Sequence, residues 1–403
     1  MLAALVLVAE GVALLLSPGE KGIPPRPVAA NDFFAADELL RASDFRNGQR
    51  LLLVGGLAAQ ALVVGGLALG RPRSARYLLG RMSARRVLGT AAAGVLVVVV
   101  AEAAAFPATL AAHERSVDAG LSTQALGPWL GDQAKALLIA AIVAGAGAAA
   151  FSALIRRYPR RWWVPGSVVV VGYGAAMSLL APILIAPRFN DFDELPESSE
   201  LRASVVELGQ RAGVEVGDVF RVDASRQGTA LNAYVAGIGP TKRVVLYDTL
   251  IESTPESELE SVVAHELGHV ANSDIPRGIL FAALVTPLGL IGVRELAGAM
   301  AYRAGTEPGL PASVPALFLA IALVSFAVGV PANQLSRKVE ASADAFALRI
   351  TGDPAALVNL QVRLAERNLS DVDPPGWARV LFGTHPTTLE RIGSAQAWAR
   401  GER

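Results

Sequence analysis

Hydrophobic and polar positions in this chain change over on the scale of a bilayer rather than of a helix turn. Apolar runs of about twenty residues cover positions 51–70, 87–111, 136–155, 162–186, 279–302 and 311–332, each long enough to cross a hydrocarbon core of about 30 Å as a helix. A shorter run from Leu2 to Leu16 is a seventh candidate. It has neither a basic leading region nor an A-x-A-like cleavage site, so it reads as an anchor rather than a signal peptide. The five N-terminal spans are rich in glycine and alanine (GGLAAQALVVGGLALG, AGAGAAAFSALI), and in lipid small residues let helices approach closely.

The pattern changes at Pro187, where mixed polar sequence begins and runs to Arg277. SSELRASVVELGQRAG has the period of an amphipathic helix, with Ser198 or Ser199 as cap and Gly213 as stop. VFRVDAS, ALNAYVAGIG and KRVVLYDTL read as short strands separated by turn residues. Thr254 as N-cap, Pro255 at the first helical position and Glu256 in the first turn predict the next helix. After the last two spans the chain is polar again from about Asn333, with a helix NQLSRKVEASADAFALRI stopping near Gly352. The expected organisation is therefore a five-span region at 1–186, a polar segment at 187–277, a membrane hairpin at 278–332 and a second polar segment at 333–403. The fold class is a mainly α membrane protein of about seven transmembrane helices with a small β-sheet, its soluble part split by the hairpin.

Composition agrees with this reading and narrows the chemistry. Hydrophobic residues make up 52% and charged residues 18% of the 403 positions, and mean hydropathy is +0.42, as in a polytopic membrane protein. Net charge is zero and no basic tract carries interleaved aromatics, which argues against nucleic acid as a partner. With no cysteine in the chain, any metal must be held by histidine and carboxylate.

One stretch supplies such ligands. SVVAHELGHVANSD, from Ser261 to Asp274, contains the H-E-x-x-H spacing. Residues four apart on a helix stand one turn above the other, so His265 and His269 present their imidazoles to one point. Glu266 lies about 100° further round, while Leu259, Val262, Val263, Leu267 and Val270 form the apolar arc that buries the helix. Zinc binds neutral imidazole at this spacing, and a catalytic site keeps one position for water. Two histidines and one carboxylate leave such a site net positive and lower the water pKa toward about 7. Glu266 is then placed to take the proton as general base and pass it to a leaving amine. The chain has only four histidines, and two of them flank a glutamate at this spacing, which weighs against a merely structural pair.

The third ligand is open on spacing alone. Asp274, Glu295, Glu340 and Asp344 are the candidates, with Glu340 favoured because Asp344, one turn on, can orient a ligand histidine from behind. The plain alternative is a solvated helix face with Arg337 bridging to Glu340 at i,i+3. His385, in GTHPTTLERI, reads on its own as a surface loop residue, and His113 as an unassigned loop residue.

These motifs together resemble the integral-membrane zinc metallopeptidases that include the CAAX prenyl protease and, more distantly, the HtpX-type heat-shock proteases. The resemblance covers nearly the whole chain through LNAYVAG (231–237), VVLYDTLI (244–251), HELGH (265–269), SRKVEASAD (336–344) and the His-Pro pair at 385–386. Upstream, HERSVDAGLSTQALGPWLGDQAK (113–135) resembles the loop before the fourth span of the prenyl-protease branch, with Trp129, Asp132 and Lys135 in order. The HtpX branch lacks this long N-terminal part.

What the resemblance implies is a split gluzincin-like zinc protease domain with one zinc ion. In that arrangement Glu340 is the third ligand, Asp344 stands behind a ligand histidine, and His385 lies near the oxyanion or substrate carbonyl. Asn232, Ala233 and Tyr234 match the edge strand that binds substrate backbone, a mode that gives affinity without demanding one sequence. The loop carries AGLSTQ where eukaryotic members tend to have a more aromatic and basic motif, so the implied substrates are membrane-associated peptides or proteins in general.

The expected location is the cell membrane, multi-pass. Arg71, Arg73, Arg76, Arg81, Arg85 and Arg86 in one loop and Arg156, Arg157, Arg160 and Arg161 in another face the cytoplasm by the positive-inside rule, which puts 187–277 and 333–403 on the other face. Family members generally have this region in the cytosol, so charge and resemblance point to opposite sides; the arginines favour the non-cytoplasmic one. Two other function classes compete. A catalytically silent zinc scaffold or chaperone would more often close the site with a fourth protein ligand and leaves Glu266 without a duty. A transporter would need more ionisable residues within the spans than Glu10, Glu102, Arg294 and Glu295, and a visible inverted repeat.

Overall fold

A computed structural model describes residues 1–70, 72–83, 85–237 and 242–402. Arg71, and Ile238 and Gly239 at the end of the second expected strand segment, lie outside the described residues. Six helices among them are long and apolar enough to cross a membrane. A first, shorter helix, α1 (Leu2–Leu15), spans about 21 Å at 1.5 Å per residue. It buries Leu5, Ala9 and Ala13 against two later membrane helices, α10 (Asp274–Arg303) and α11 (Val314–Thr351).

The N-terminal bundle consists of α2 (Ala36–Gly65), a short amphipathic α3 (Arg73–Met82), α4 (Arg86–Asp118), α5 (Leu126–Arg157) and α6 (Trp163–Leu184). Helix α2 runs on as a π-turn to Gly70. The small residues act as the pattern suggests. A Cβ at Gly94 on α4 would lie 2.6 Å from the Ala144 carbonyl oxygen and 2.7 Å from the Ala148 Cβ on α5, so glycine is what allows this approach. His113 is not in a loop. Helix formers continue past the apolar stretch, so α4 carries it to Asp118, and its ring stacks on Trp129 of α5 at 4.4 Å and 10°.

The first polar segment folds as α7 (Glu200–Arg211) and a four-stranded sheet of β1 (Phe192–Glu194), β2 (Asp218–Val222), β3 (Ala233–Ala236) and β4 (Arg243–Tyr247) in the order β1-β2-β4-β3. Ser199 caps α7 by accepting from the Arg202 N–H, and Gly213 beyond it has φ +67. Strands β2 and β4 are parallel, and β3 pairs antiparallel with β4, Ala233 opposite Leu246. The centre is apolar on both faces: Val219, Val244, Val245 and Leu246 are fully buried. Strand β3 is an edge. The KRVVLYDTL segment ends as a strand at Tyr247, because Asp248 opens helix α8 (Asp248–Ser253).

The motif helix α9 is Glu256–Ala271. It starts one residue later than the sequence suggests, with Pro255 in the capping position, and the Thr254 hydroxyl has no hydrogen-bond partner. Acidic residues support the start instead: Glu256 and Glu258 lie in the first turn, and Glu258 receives Arg363 at 2.7 Å. Two residues, Asn272 and Ser273, separate α9 from α10. Helix α11 then runs unbroken through residue 333 to Thr351, so the last span and the predicted polar helix are one 38-residue rod, stopped by Gly352 at φ +68. The chain closes with α12 (Pro354–Arg367), α13 (Gly376–Phe382) and α14 (Thr388–Ala399), the last opened by a Thr387/Glu390 capping box. Leu246, Leu250, Val263, Leu267 and Ala347 tie the sheet, α9 and the end of α11 into one core.

At the other end of the bundle lie α3 and the turns after α5 and α10. Arg156 donates to the Gly309 carbonyl at 2.6 Å and Arg294 to the Arg160 carbonyl at 2.7 Å.

Candidate metal and catalytic site

The site forms where α9 crosses the C-terminal part of α11. The buried stripe of α9 faces the sheet and α11, and Gly268 lets the helices meet: a Cβ there would lie 3.2 Å from Phe346. His265 Nε2 and His269 Nε2 stand 3.2 Å apart. Glu340, from α11, places Oε2 3.3 Å from His265 Nε2 and Oε1 3.7 Å from His269 Nε2. Arg337 does not bridge to Glu340. It donates to the Arg379 and Gly383 carbonyls instead, and Glu340 is 8% exposed rather than solvated.

The far ring nitrogens are both engaged. His265 Nδ1 lies 2.8 Å from Asp344 Oδ1, and His269 Nδ1 lies 2.9 Å from Asp274 Oδ2. A carboxylate accepts only, so each Nδ1 is a donor and Nε2 is the ring nitrogen left for a metal ion. Nε2 of both histidines and the Glu340 carboxylate therefore converge on one point, and Glu340 Oε2 has no hydrogen-bond partner. Ligand atoms about 2.0–2.2 Å from a tetrahedral ion are about 3.3–3.6 Å from one another, close to the separations observed. The residues fit a divalent metal. Glu266 also offers an oxygen within 4.8 Å of the two histidine nitrogens.

Of the four carboxylates left open by spacing, Asp274 and Asp344 touch the outward ring nitrogens, and Glu295 pairs with Arg294 elsewhere on α10. Glu340 is the one facing both Nε2 atoms. Arg391, from α14, makes a two-pronged pair with Asp344: Nε to Oδ2 at 2.8 Å and Nη2 to Oδ1 at 2.6 Å. The sequence reading missed Arg391; its signal was its place in a capped helix just after the His-Pro pair.

Electrostatics follow from these contacts. Before any metal binds, burial pushes the His265 imidazolium down, but Asp344 and Glu340 outweigh this and raise it to about 10. Burial raises the Glu266 carboxyl above its usual range, against the pull of His265 and His269. His385 reaches the site from the loop before α14, Nε2 3.4 Å from Glu340 Oε1, with its side chain 58% exposed and Nδ1 2.8 Å from the Thr384 hydroxyl.

A cavity of about 340 Å³ opens on this cluster, lined by His265, Glu266, Glu340 and His385 together with Asn232 and Ala233. Tyr234 is partly buried on β3 and does not line it. The start of the strand is held by Asn368, which accepts the Leu231 N–H at 3.2 Å. Buried Asp248 accepts the Ser225 N–H at 2.9 Å, and hydrogen bonds from Ser225 and Thr249 keep its carboxyl below the usual range despite burial. The α4–α5 turn is stitched to the same segment, Thr123 donating to the Ser225 carbonyl at 2.7 Å and the Thr229 N–H to Leu121 at 3.0 Å. The AGLSTQ motif thus supports the strand approach. A larger cavity of about 640 Å³ lies on that side, lined by His113 and Trp129 and not by His265, His269 or His385.

Comparison with known proteins bears on the family and the fold. The model described as peptidase family M48 matches residues 196–399, and that described as the CAAX prenyl protease N-terminal region, five membrane helices, matches 118–191. The chain is 31% identical over 291 residues to the uncharacterized metalloprotease YhfN of Bacillus subtilis, covering 70% of this chain and 68% of that protein. It is 34% identical over 161 residues to CAAX prenyl protease 1 of Saccharomyces cerevisiae, covering 39% and 35%. To protease HtpX of Legionella pneumophila it is 24% identical over 256 residues, covering 58% and 89%. Its fold matches the crystal structure of S. mikatae Ste24p with a TM-score of 0.77 over 98% of both chains at 20% identity.

Proposed function

For a chain that belongs to peptidase family M48, and is thus a multi-pass membrane metalloprotease, we propose the specific activity of a zinc metalloendopeptidase acting on membrane-associated peptides or proteins, in processing or quality control. The observation that carries this is the convergence of His265 Nε2, His269 Nε2 and the Glu340 carboxylate at 3.2–3.7 Å. These three would hold the ion. Zinc supplies Lewis acidity, lowering the pKa of a water molecule toward about 7 and polarising a carbonyl.

The chain's own residues do the rest. Substrate backbone adds to the free edge of β3 at Asn232, Ala233 and Tyr234, which lays the peptide across the cavity. Glu266 accepts the water proton at its carboxylate and delivers it to the leaving amine. Its raised pKa suits this exchange, since a stronger base takes the proton more readily. His385, which lines the cavity, donates to the carbonyl oxygen as negative charge develops. Asp344 holds His265 in the tautomer that leaves Nε2 free.

In this reading 1–186 and 278–332 are the membrane region, with Leu2–Leu16 as a seventh membrane element, and 187–277 with 333–403 are the two halves of a gluzincin-like catalytic unit. The protein resides in the cell membrane. The arginine-bearing turns lie at the end of the bundle opposite the site, which supports a non-cytoplasmic active site under the positive-inside rule. Labelling of cysteines introduced at 198–215 in intact cells tests this, and labelling only after permeabilisation would overturn it.

The activity is tested with purified protein and Glu266→Gln on a mixed peptide library in detergent with zinc present. The wild type should produce internal cleavages and the variant should retain zinc without cutting. Equal cleavage by both, or none by either, would defeat the protease reading and favour a silent scaffold or a transporter.

A further inference from the structure

We infer that Asp274 and Arg277 are a positioning pair for His269, through which the first turn of the membrane helix α10 sets the geometry of the metal site. The inference rests on the proposed role of His269 as a ligand. Asp274 Oδ2 lies 2.9 Å from His269 Nδ1, its other oxygen pairs with Arg277 Nη1, and Arg277 Nη2 donates to the Asn272 carbonyl at 3.2 Å. This repeats on the second histidine what Asp344 and Arg391 do for the first: imidazole, carboxylate, guanidinium in line.

The backbone is bent to make this contact. In an uninterrupted helix residue 274 would stand five positions and about 140° round from His269, facing away from its ring. Ser273 interrupts the helix in the left-handed region, φ 56 and ψ 45, a conformation that costs a non-glycine residue about 1 kcal/mol or more. That turn brings Asp274 back under the imidazole. His269 also needs the contact more, since its side chain is 24% exposed against 10% for His265 and is less fixed by packing. The carboxylate holds the ring in one orientation and keeps the proton on Nδ1, so that Nε2 points at the ion. Because Asp274 is the first residue of α10, the tilt of a membrane helix and the position of a ligand are mechanically joined.

The alternative is that Asp274 merely complements the α10 dipole and pairs with Arg277 one turn on. The two differ in what they move. The full-length protein in detergent is stripped of metal and titrated with Zn²⁺ against a chromophoric chelator, as wild type, Asp274→Asn, Asp274→Glu and Arg277→Gln. Asp274→Asn should weaken zinc binding about 10- to 100-fold and shift the d–d absorption of the cobalt-substituted form, which a role confined to the start of α10 would leave unchanged; Asp274→Glu should recover part of the affinity. Wild-type affinity in folded Asp274→Asn would overturn the inference and leave the zinc site standing. Should that variant fail to fold, wild-type affinity in Arg277→Gln would do the same. A wild type that takes up no zinc overturns the parent reading instead.

Discussion

Replacing Arg391 by alanine isolates the support beneath His265. The guanidinium makes two charge-assisted hydrogen bonds to Asp344, at 2.6 and 2.8 Å, and Asp344 is 3% exposed. Its removal leaves a buried carboxylate whose remaining partner is the His265 ring. Breaking one side of a buried pair costs about 3–5 kcal/mol, a large part of the roughly 5–15 kcal/mol that holds a typical domain folded. The metal-free protein should therefore melt several degrees lower by circular dichroism, and zinc affinity in chelator competition should fall about 10- to 100-fold. Arg391→Met combined with Asp344→Asn separates the two effects. Removing the charge with its partner restores much of the stability, because no ion is stranded. It does not restore zinc affinity, because an amide is a poorer acceptor for Nδ1–H than a carboxylate. If the double variant melts no higher than Arg391→Ala, or if Arg391→Ala binds zinc as tightly as wild type, the proposed chain of support is wrong.

Two further outcomes follow from the same geometry. His385→Ala should lower kcat about 10²- to 10³-fold with little change in KM, as measured by initial rates on a cleaved library peptide; a change confined to KM would assign His385 to ground-state binding. For pH, the His265 pKa before metal binds is raised from 6.5 to about 10, so its contribution to metal-free stability is fully present below about pH 6.5 and is lost as pH rises toward 10. Zinc displaces that proton, so zinc affinity should climb over the same interval, and thermal midpoints measured with and without chelator should diverge as pH increases; parallel curves would contradict the protonation scheme.

Legibility in the sequence tracked how local the determining physics is. The spans could be read because each needs only about twenty apolar residues in a row, and α9 because its histidine spacing and first-turn acids lie within sixteen residues. Composition misled at residue 333, where the side chains turn polar while the helical period of α11 continues. Strand β1 (FDE) carries no hydrophobic alternation and exists because β2 offers it a partner. The third ligand stayed open among four carboxylates because spacing cannot say which side of an imidazole a distant oxygen reaches. Asp274 lies only five residues from His269, yet its role depends on a left-handed serine that no local preference announces. Arg391 meets Asp344 across 47 positions, and only the packing of α14 on α12 and α11 brings them together.

The order of elements explains why the site can stand on a membrane protein at all. Between His269 and Glu340 the chain leaves the site along α10 and returns along α11, and an even number of crossings is what puts the Glu340 carboxylate on the same side as the histidines. The return is made on one rigid rod, so the register set by the lower part of α11 against α1 and α10 is carried intact to Glu340 and Asp344. A single residue inserted between the two parts would turn both carboxylates by about 100°, away from Nε2 and Nδ1 alike. At the other end of the circuit the two-residue break after α9 fixes where α10 begins, and Asp274 ties that beginning back to His269. The hairpin is thus the part of the chain that sets how far apart, and at what angle, the groups proposed to hold the metal can stand.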